Sequence, residues 1–130
     1  MAKEPQRTKA EEIERLKRIL RDWQVTEDAT VELIGKILEK VQNPLVRLIM
    51  EIIRQDSVLH KKVQQAILDS LETEAFHLQP EELSDIWEML ERHDEHERKA
   101  IRMAEEARRN CPFIIQRQLL EYLIDDERKH

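Results

Sequence analysis

Apolar residues recur at steps of three and four along almost the whole chain, and this spacing predicts α-helices. Glycine occurs only once in 130 residues, and three of the four prolines lie between the periodic stretches. Leu, Ile, Glu, Lys and Arg dominate the remainder, which is the composition of helices rather than sheets. We therefore expect an all-α fold whose helices begin and end near the prolines.

The prolines divide the pattern into four predicted helices. The first ends at Asn43-Pro44, because the residue before a proline is disfavoured in the α region. This first segment is either one long helix or two helices, in which case Thr26 caps the second after a break near Val25. The second runs from about 45 to 71. Pro80 opens the third, which stops at 110–112, and the fourth runs from about 113 to the end. Residues 1–6 are predicted to form a polar tail and 7–130 a single helical-bundle domain.

Charge and cysteine content restrict the class of protein. The net charge of −6 argues against a nucleic-acid partner held by its phosphates. No apolar run is long enough for a transmembrane helix, so we expect no membrane partner. The single cysteine, Cys111, excludes an intramolecular disulfide and a cysteine-based metal site. These features favour a cytoplasmic protein.

The second half of the chain repeats the first at an offset of 70 residues. The apolar pairs are Leu20 with Leu90, Val31 with Ile101, Ile34 with Ala104 and Ile49 with Leu119. The polar pairs are Glu27 with Glu97, Asp56 with Asp126 and His60 with His130. Any two amphipathic helices can be phased on apolar positions, whereas matched polar residues are harder to obtain by chance. The repeat, about 20–60 and 90–130, predicts a four-helix bundle of two repeated helical hairpins.

Several of the repeated polar residues fall on apolar helix faces. At about 100° per residue, Asp56 and His60 each lie within about 20° of Ile49. Glu97 lies in the middle of its apolar stripe. Carboxylates and imidazoles in an apolar interior are costly unless they are paired, hydrogen-bonded or bound to metal. Convergence on a shared metal ion is therefore our first interpretation.

Each of these residues also has a plainer interpretation. Glu27 and Glu97 are compatible with boundary glutamates, and His60 with a core histidine hydrogen-bonded to Asp56 or to a neighbouring carboxylate. His93 aligns with Trp23 near the edge of the stripe, where a packed or surface histidine is the commoner case and a spare ligand the alternative.

The second half carries a complete ligand pattern. Glu97 is followed 30 residues later by Glu127-Arg128-Lys129-His130, and Glu and His three positions apart share one helix face. Glu97 and Glu127 each lie 15 positions from Pro112, so we expect them at the same level of the hairpin. In the first half, Ser57 stands at the position of the second glutamate.

This pattern resembles the ferritin-like and rubrerythrin-like di-iron carboxylate bundles, in which Glu and Glu-x-x-His motifs come from successive helices. The resemblance implies a metal site that oxidises Fe(II) or handles iron, with Fe in a di-iron or mononuclear arrangement, Mn as an alternative, and a homo-oligomer of two or more chains. The implied metal ligands are Glu27, His60, Glu97, Glu127 and His130. Asp56 and Asp126 are implied to orient the histidines.

Ser57 leaves two functions open. Three carboxylates should bind a second ion weakly, which favours a mononuclear site, and a Ser57→Glu variant is expected to raise the metal stoichiometry toward two. The alternative is a non-catalytic ferritin-like scaffold that acts by oligomerisation or partner binding. The complete second half favours the metal protein, and Ser57 favours the scaffold.

Overall fold

The computed structural model describes residues 6–72 and 79–130. Its helices are α1 (Lys9–Lys40), α2 (Pro44–Glu72), α3 (Pro80–Arg109) and α4 (Ile114–Arg128), and these two ranges contain no strand. The all-α prediction is confirmed, and the predicted helix boundaries agree to within about three residues. Residues 1–5 of the predicted tail, 1–6, lie outside the described residues, as do 73–78 between the second and third predicted helices.

Helix α1 is continuous, which decides between the two predictions for this segment. It is capped by Thr8, whose side chain accepts a hydrogen bond from the Glu11 backbone N–H at 3.2 Å. Thr26 lies inside the helix and donates its hydroxyl to the Asp22 carbonyl at 3.3 Å. A threonine bonded to the preceding turn in this way does not cap a new helix.

Asn43 and Arg47 build the turn between α1 and α2. The Asn43 side-chain oxygen accepts from the backbone N–H groups of Leu45 and Val46 at 2.9 and 3.3 Å, so it caps α2 directly before Pro44. Arg47 donates to the carbonyls of Leu38 and Val41 at 2.6 and 2.9 Å. These bonds satisfy backbone groups that both helix ends would otherwise leave unpaired.

The described contacts form two helical hairpins, and the chain divides into two compact units, Met1–His77 and Leu78–His130. In the first unit α1 packs against α2, and in the second α3 packs against α4. The prediction of two hairpins is confirmed. Throughout 6–72 and 79–130, no helix carries an apolar stretch of the length that crossing a bilayer requires.

The buried stripe of the first hairpin corrects one prediction. Asp56 is exposed, although the sequence placed it on the apolar face of α2. The residues of α2 that pack inward include Ser57 and Gln64, which are 6% and 3% exposed. Ser57 is rotated by about 80° from Ile49, the residue taken as the centre of that face. The apolar stripe of α2 is wider than its contact with α1, so Ile49 stays 42% exposed.

Candidate metal centre

Glu97 is the buried centre of the second hairpin's polar cluster. It is 9% exposed, on the face of α3 that meets α4. Its Oε1 atom is shielded from solvent, and no donor among residues 6–72 and 79–130 reaches it with hydrogen-bonding geometry. A buried carboxylate oxygen without a partner costs about 1–3 kcal/mol or more, so this atom calls for a cation or a donor.

Two imidazoles approach that same oxygen. His93 lies four residues earlier on α3, and its Nε2 is 2.5 Å from Glu97 Oε1. His130 follows α4, and its Nδ1 is 3.4 Å from Glu97 Oε1. The two rings are stacked, with centroids 6.0 Å apart and planes inclined by 28°. One buried oxygen therefore sits between two ring nitrogens.

Local helix geometry explains how these side chains meet. Residues four apart on a helix share a face, which aligns His93 with Glu97. The His130 backbone N–H donates to the Glu127 carbonyl at 3.2 Å, and this bond fixes the chain just beyond α4. Both histidine side chains are about half exposed, at 52% and 50%. The site is therefore buried on its carboxylate side and open to solvent on its imidazole side.

The three donor atoms fit a transition-metal ion. One ligand atom from each of His93, Glu97 and His130 lies within 4.8 Å of the other two. Bonds of about 2.0–2.1 Å place the ligands of such an ion roughly 3–4 Å apart. The 3.4 Å between Glu97 Oε1 and His130 Nδ1 already matches this spacing, whereas His93 Nε2 would have to move away from Glu97 Oε1 to make room for the ion. Imidazole nitrogen and carboxylate oxygen together suit Fe, Zn or Mn. Three protein ligands leave coordination positions for water or substrate.

The first hairpin contains the same arrangement with one residue changed. Glu27 is 8% exposed, and its Oε1 is 3.4 Å from His60 Nδ1, the distance found between Glu97 and His130. At the position that matches His93 stands Trp23, whose Nε1–H donates to Glu27 Oε1 at 3.1 Å. The carboxylate of the first hairpin is therefore satisfied by an indole N–H. The repeat seen in the sequence extends to the contacts of the buried glutamates.

The structure brings some predicted ligands together and leaves others apart. Glu27 meets His60, and Glu97 meets His130. Glu127 is half-buried but does not belong to the three-residue cluster, and His93 takes the place expected for it. In an antiparallel hairpin, residues equally distant from the turn lie at the same level. Glu97 is level with His130, so the midpoint of the turn is at 113.5 rather than at Pro112, and Glu127 lies three residues short of the level of Glu97.

The aspartates that the resemblance implied as orienting groups do not reach the histidines. Within residues 6–72 and 79–130, neither Asp56 nor Asp126 forms a hydrogen bond or ion pair with His60 or His130. Asp56 is exposed and Asp126 half-buried. Asp56 points away from the stripe because it lies about 100° around the helix from Ser57, the neighbouring buried position.

His93 is the residue whose place in the site the sequence analysis underestimated. Its position near the edge of the apolar stripe, aligned with Trp23, suggested a packed or surface histidine and left a spare ligand as the alternative. The spacing His93-x-x-x-Glu97 was nevertheless visible, and two potential ligands four apart on one helix face are a recognised metal-binding spacing.

No family model matches the chain, and neither a curated protein nor a solved structure matches it significantly. The ferritin-like resemblance therefore rests on the residues quoted above and stays a prediction.

Proposed function

We propose that the chain is a metal-binding helical protein whose second hairpin holds one Fe(II) ion through His93, Glu97 and His130, and that it oxidises or otherwise handles iron. The observation that supports this proposal is the Glu97 oxygen, which is buried, accepts no hydrogen bond from any described residue and is approached by two imidazole nitrogens. Mn(II) is the alternative ion. The ferritin-like ancestry and a cytoplasmic location belong to the same proposal.

Each residue has a defined part in this function. Glu97 supplies the anionic ligand from the buried side, where its desolvated charge attracts a cation most strongly. His93 and His130 supply neutral ligands at the solvent-exposed side. When bound, iron provides one-electron redox chemistry at its open coordination positions. The exposure of the two imidazoles leaves that side accessible to small molecules from solution.

Anaerobic Fe(II) binding followed by controlled oxygen exposure tests the proposal. We expect one tightly bound Fe(II) per chain and oxidation faster than in protein-free buffer. Glu97→Gln is expected to lose both properties. Glu27→Gln is the matched control, since Glu27 is equally buried and contacts the equivalent histidine, and it should retain both. Absence of bound iron in the wild-type protein would refute the metal function, and bound iron without accelerated oxidation would refute the oxidase activity.

A non-catalytic scaffold is the second candidate function, and the surface of the hairpins favours it. Large apolar side chains at least half exposed occur in both units, among them Ile19, Leu33, Val63, Trp87, Met103 and Leu123. Exposed apolar surface of this extent is typical of association surfaces. A protein that forms a homo-oligomer but binds no Fe(II), Mn(II) or Zn(II) would support the scaffold over the metal protein.

A further inference from the structure

The two hairpins differ at one ligand position, and this difference assigns a role to Trp23. We propose that the residue four positions before the buried glutamate decides whether a hairpin holds a metal ion. His93 completes the site of the second hairpin, whereas Trp23 closes the matching site of the first. This inference rests on the proposed metal function of the second hairpin.

The geometry of the first hairpin carries the argument. Glu27 and His60 are placed as Glu97 and His130 are, with the same 3.4 Å separation and nearly the same burial of the carboxylate. The fold has therefore kept two of the three ligands. The third position differs in chemistry, because an indole nitrogen is a donor only and has no lone pair for a metal.

Trp23 also removes the need for a cation. Its N–H donates to the Glu27 oxygen that would otherwise face a metal, at 3.1 Å. The hydrogen bond offsets the desolvation of the buried carboxylate. Glu27 and His60 alone offer two protein ligands, fewer than the three that hold a typical open metal site.

An indole at this spacing engages a glutamate through helix geometry alone. On α3, Trp87 donates to Glu91 four residues later at 2.8 Å, outside either buried cluster. A tryptophan at position 93 is therefore expected to bond Glu97 as Trp23 bonds Glu27. The two hairpins should be interconvertible by exchanging one residue in each.

Equilibrium dialysis of the full chain against Co(II), with the bound metal counted by mass spectrometry, tests this inference. We expect one ion per chain for wild type, two for Trp23→His, none for His93→Trp and one for the double exchange. Trp23→Phe, which removes the indole without adding a ligand, should remain at one. Adding His60→Ala to Trp23→His should return the count to one, which places the gained ion in the first hairpin. Circular dichroism of each variant verifies that the helices are retained.

The outcomes separate the two proposals. If wild type binds one ion and folded Trp23→His also binds one, the role of Trp23 is refuted while the metal function stands. If wild type binds none and Trp23→His binds one, the metal function fails and the role of position 23 stands. A Ser57→Glu variant gives a further comparison. Two ions bound by Ser57→Glu, with one bound by Trp23→His, would identify the missing carboxylate as the defect and overturn the inference.

Discussion

Glu97 Oε1 lies 3.4 Å from His130 Nδ1, which links the buried face of α3 to the end of α4. Seventy residues earlier, Glu27 and His60 are separated by the same distance. The contact occurs once in each hairpin, so it is a property of the repeated unit. What differs is the third group on the carboxylate, which is an imidazole in one hairpin and an indole in the other.

Metal binding should raise the stability of the wild-type protein. An ion that binds only the folded chain stabilises it by about 2.7 kcal/mol at a hundredfold excess over its dissociation constant. We expect Zn(II), as a redox-inert probe, to raise the melting temperature of wild type and of Glu27→Gln. Glu97→Gln should show no increase. Equal shifts in both variants would mean that the ion binds elsewhere.

Asp126→Asn should leave metal affinity within about twofold of wild type. Asp126 forms no hydrogen bond with His130, so it does not orient that imidazole. In sites where a carboxylate does hold a ligand histidine, its loss typically lowers metal affinity by about 10–100-fold. Titration calorimetry with Zn(II) distinguishes the two cases. A tenfold loss would show that the ferritin-like pattern extends to the aspartate.

Gln64→Leu should stabilise the first hairpin. Gln64 is 3% exposed on α2, and neither its amide nitrogen nor its amide oxygen has a hydrogen-bond partner in the part of the chain that the structure describes. Replacing an unsatisfied buried amide by a similar apolar side chain should raise the free energy of unfolding by about 1–3 kcal/mol, as measured by urea denaturation. Gln65→Leu is the control, because Gln65 is exposed and accepts from Gln24 at 3.1 Å. A loss of stability in Gln64→Leu would indicate that the amide has a partner in solution.

Asn43→Ala should destabilise the turn of the first hairpin by about 1 kcal/mol, since its side chain caps α2. Asn110→Ala, in the turn of the second hairpin, should cost less. The Asn110 side chain donates back to the Glu106 carbonyl at 2.8 Å and caps no following helix. Thermal denaturation of both variants measures the difference, and a larger effect at Asn110 would contradict it.

The helices and hairpins were predictable because their signals are local. The three- and four-residue steps fix the helical class, and the bonds made by Asn43 explain why the turn falls at Asn43-Pro44. The pairing of Glu27 with His60 and of Glu97 with His130 was predictable from the repeat. Polar residues that occur at the same position in both halves are expected on the same helix face in each hairpin.

The third residue of the cluster, His93, was less predictable because its position depends on the rotation of the helices and on the level at which they pair. The apolar stripe of α2 is wider than its contact with α1, so taking Ile49 as its centre misplaced Asp56. The two helices of the second hairpin do not pair symmetrically about Pro112, as the sequence analysis assumed. As a result His93, and not Glu127, lies next to Glu97. An alignment of two repeats also draws attention to positions where the residues are the same. Because Trp23 aligns with His93, the position at which the two hairpins differ was not selected.

Anomalous diffraction from crystals of the full chain grown anaerobically with Fe(II) tests the central claim most directly. Data collected on either side of the iron absorption edge locate the ion and its ligands. We predict a single iron peak within bonding distance of His93 Nε2, Glu97 Oε1 and His130 Nδ1, and none at Glu27. Absence of a peak, or an ion ligated by Glu127 with His93 uncoordinated, would contradict the account.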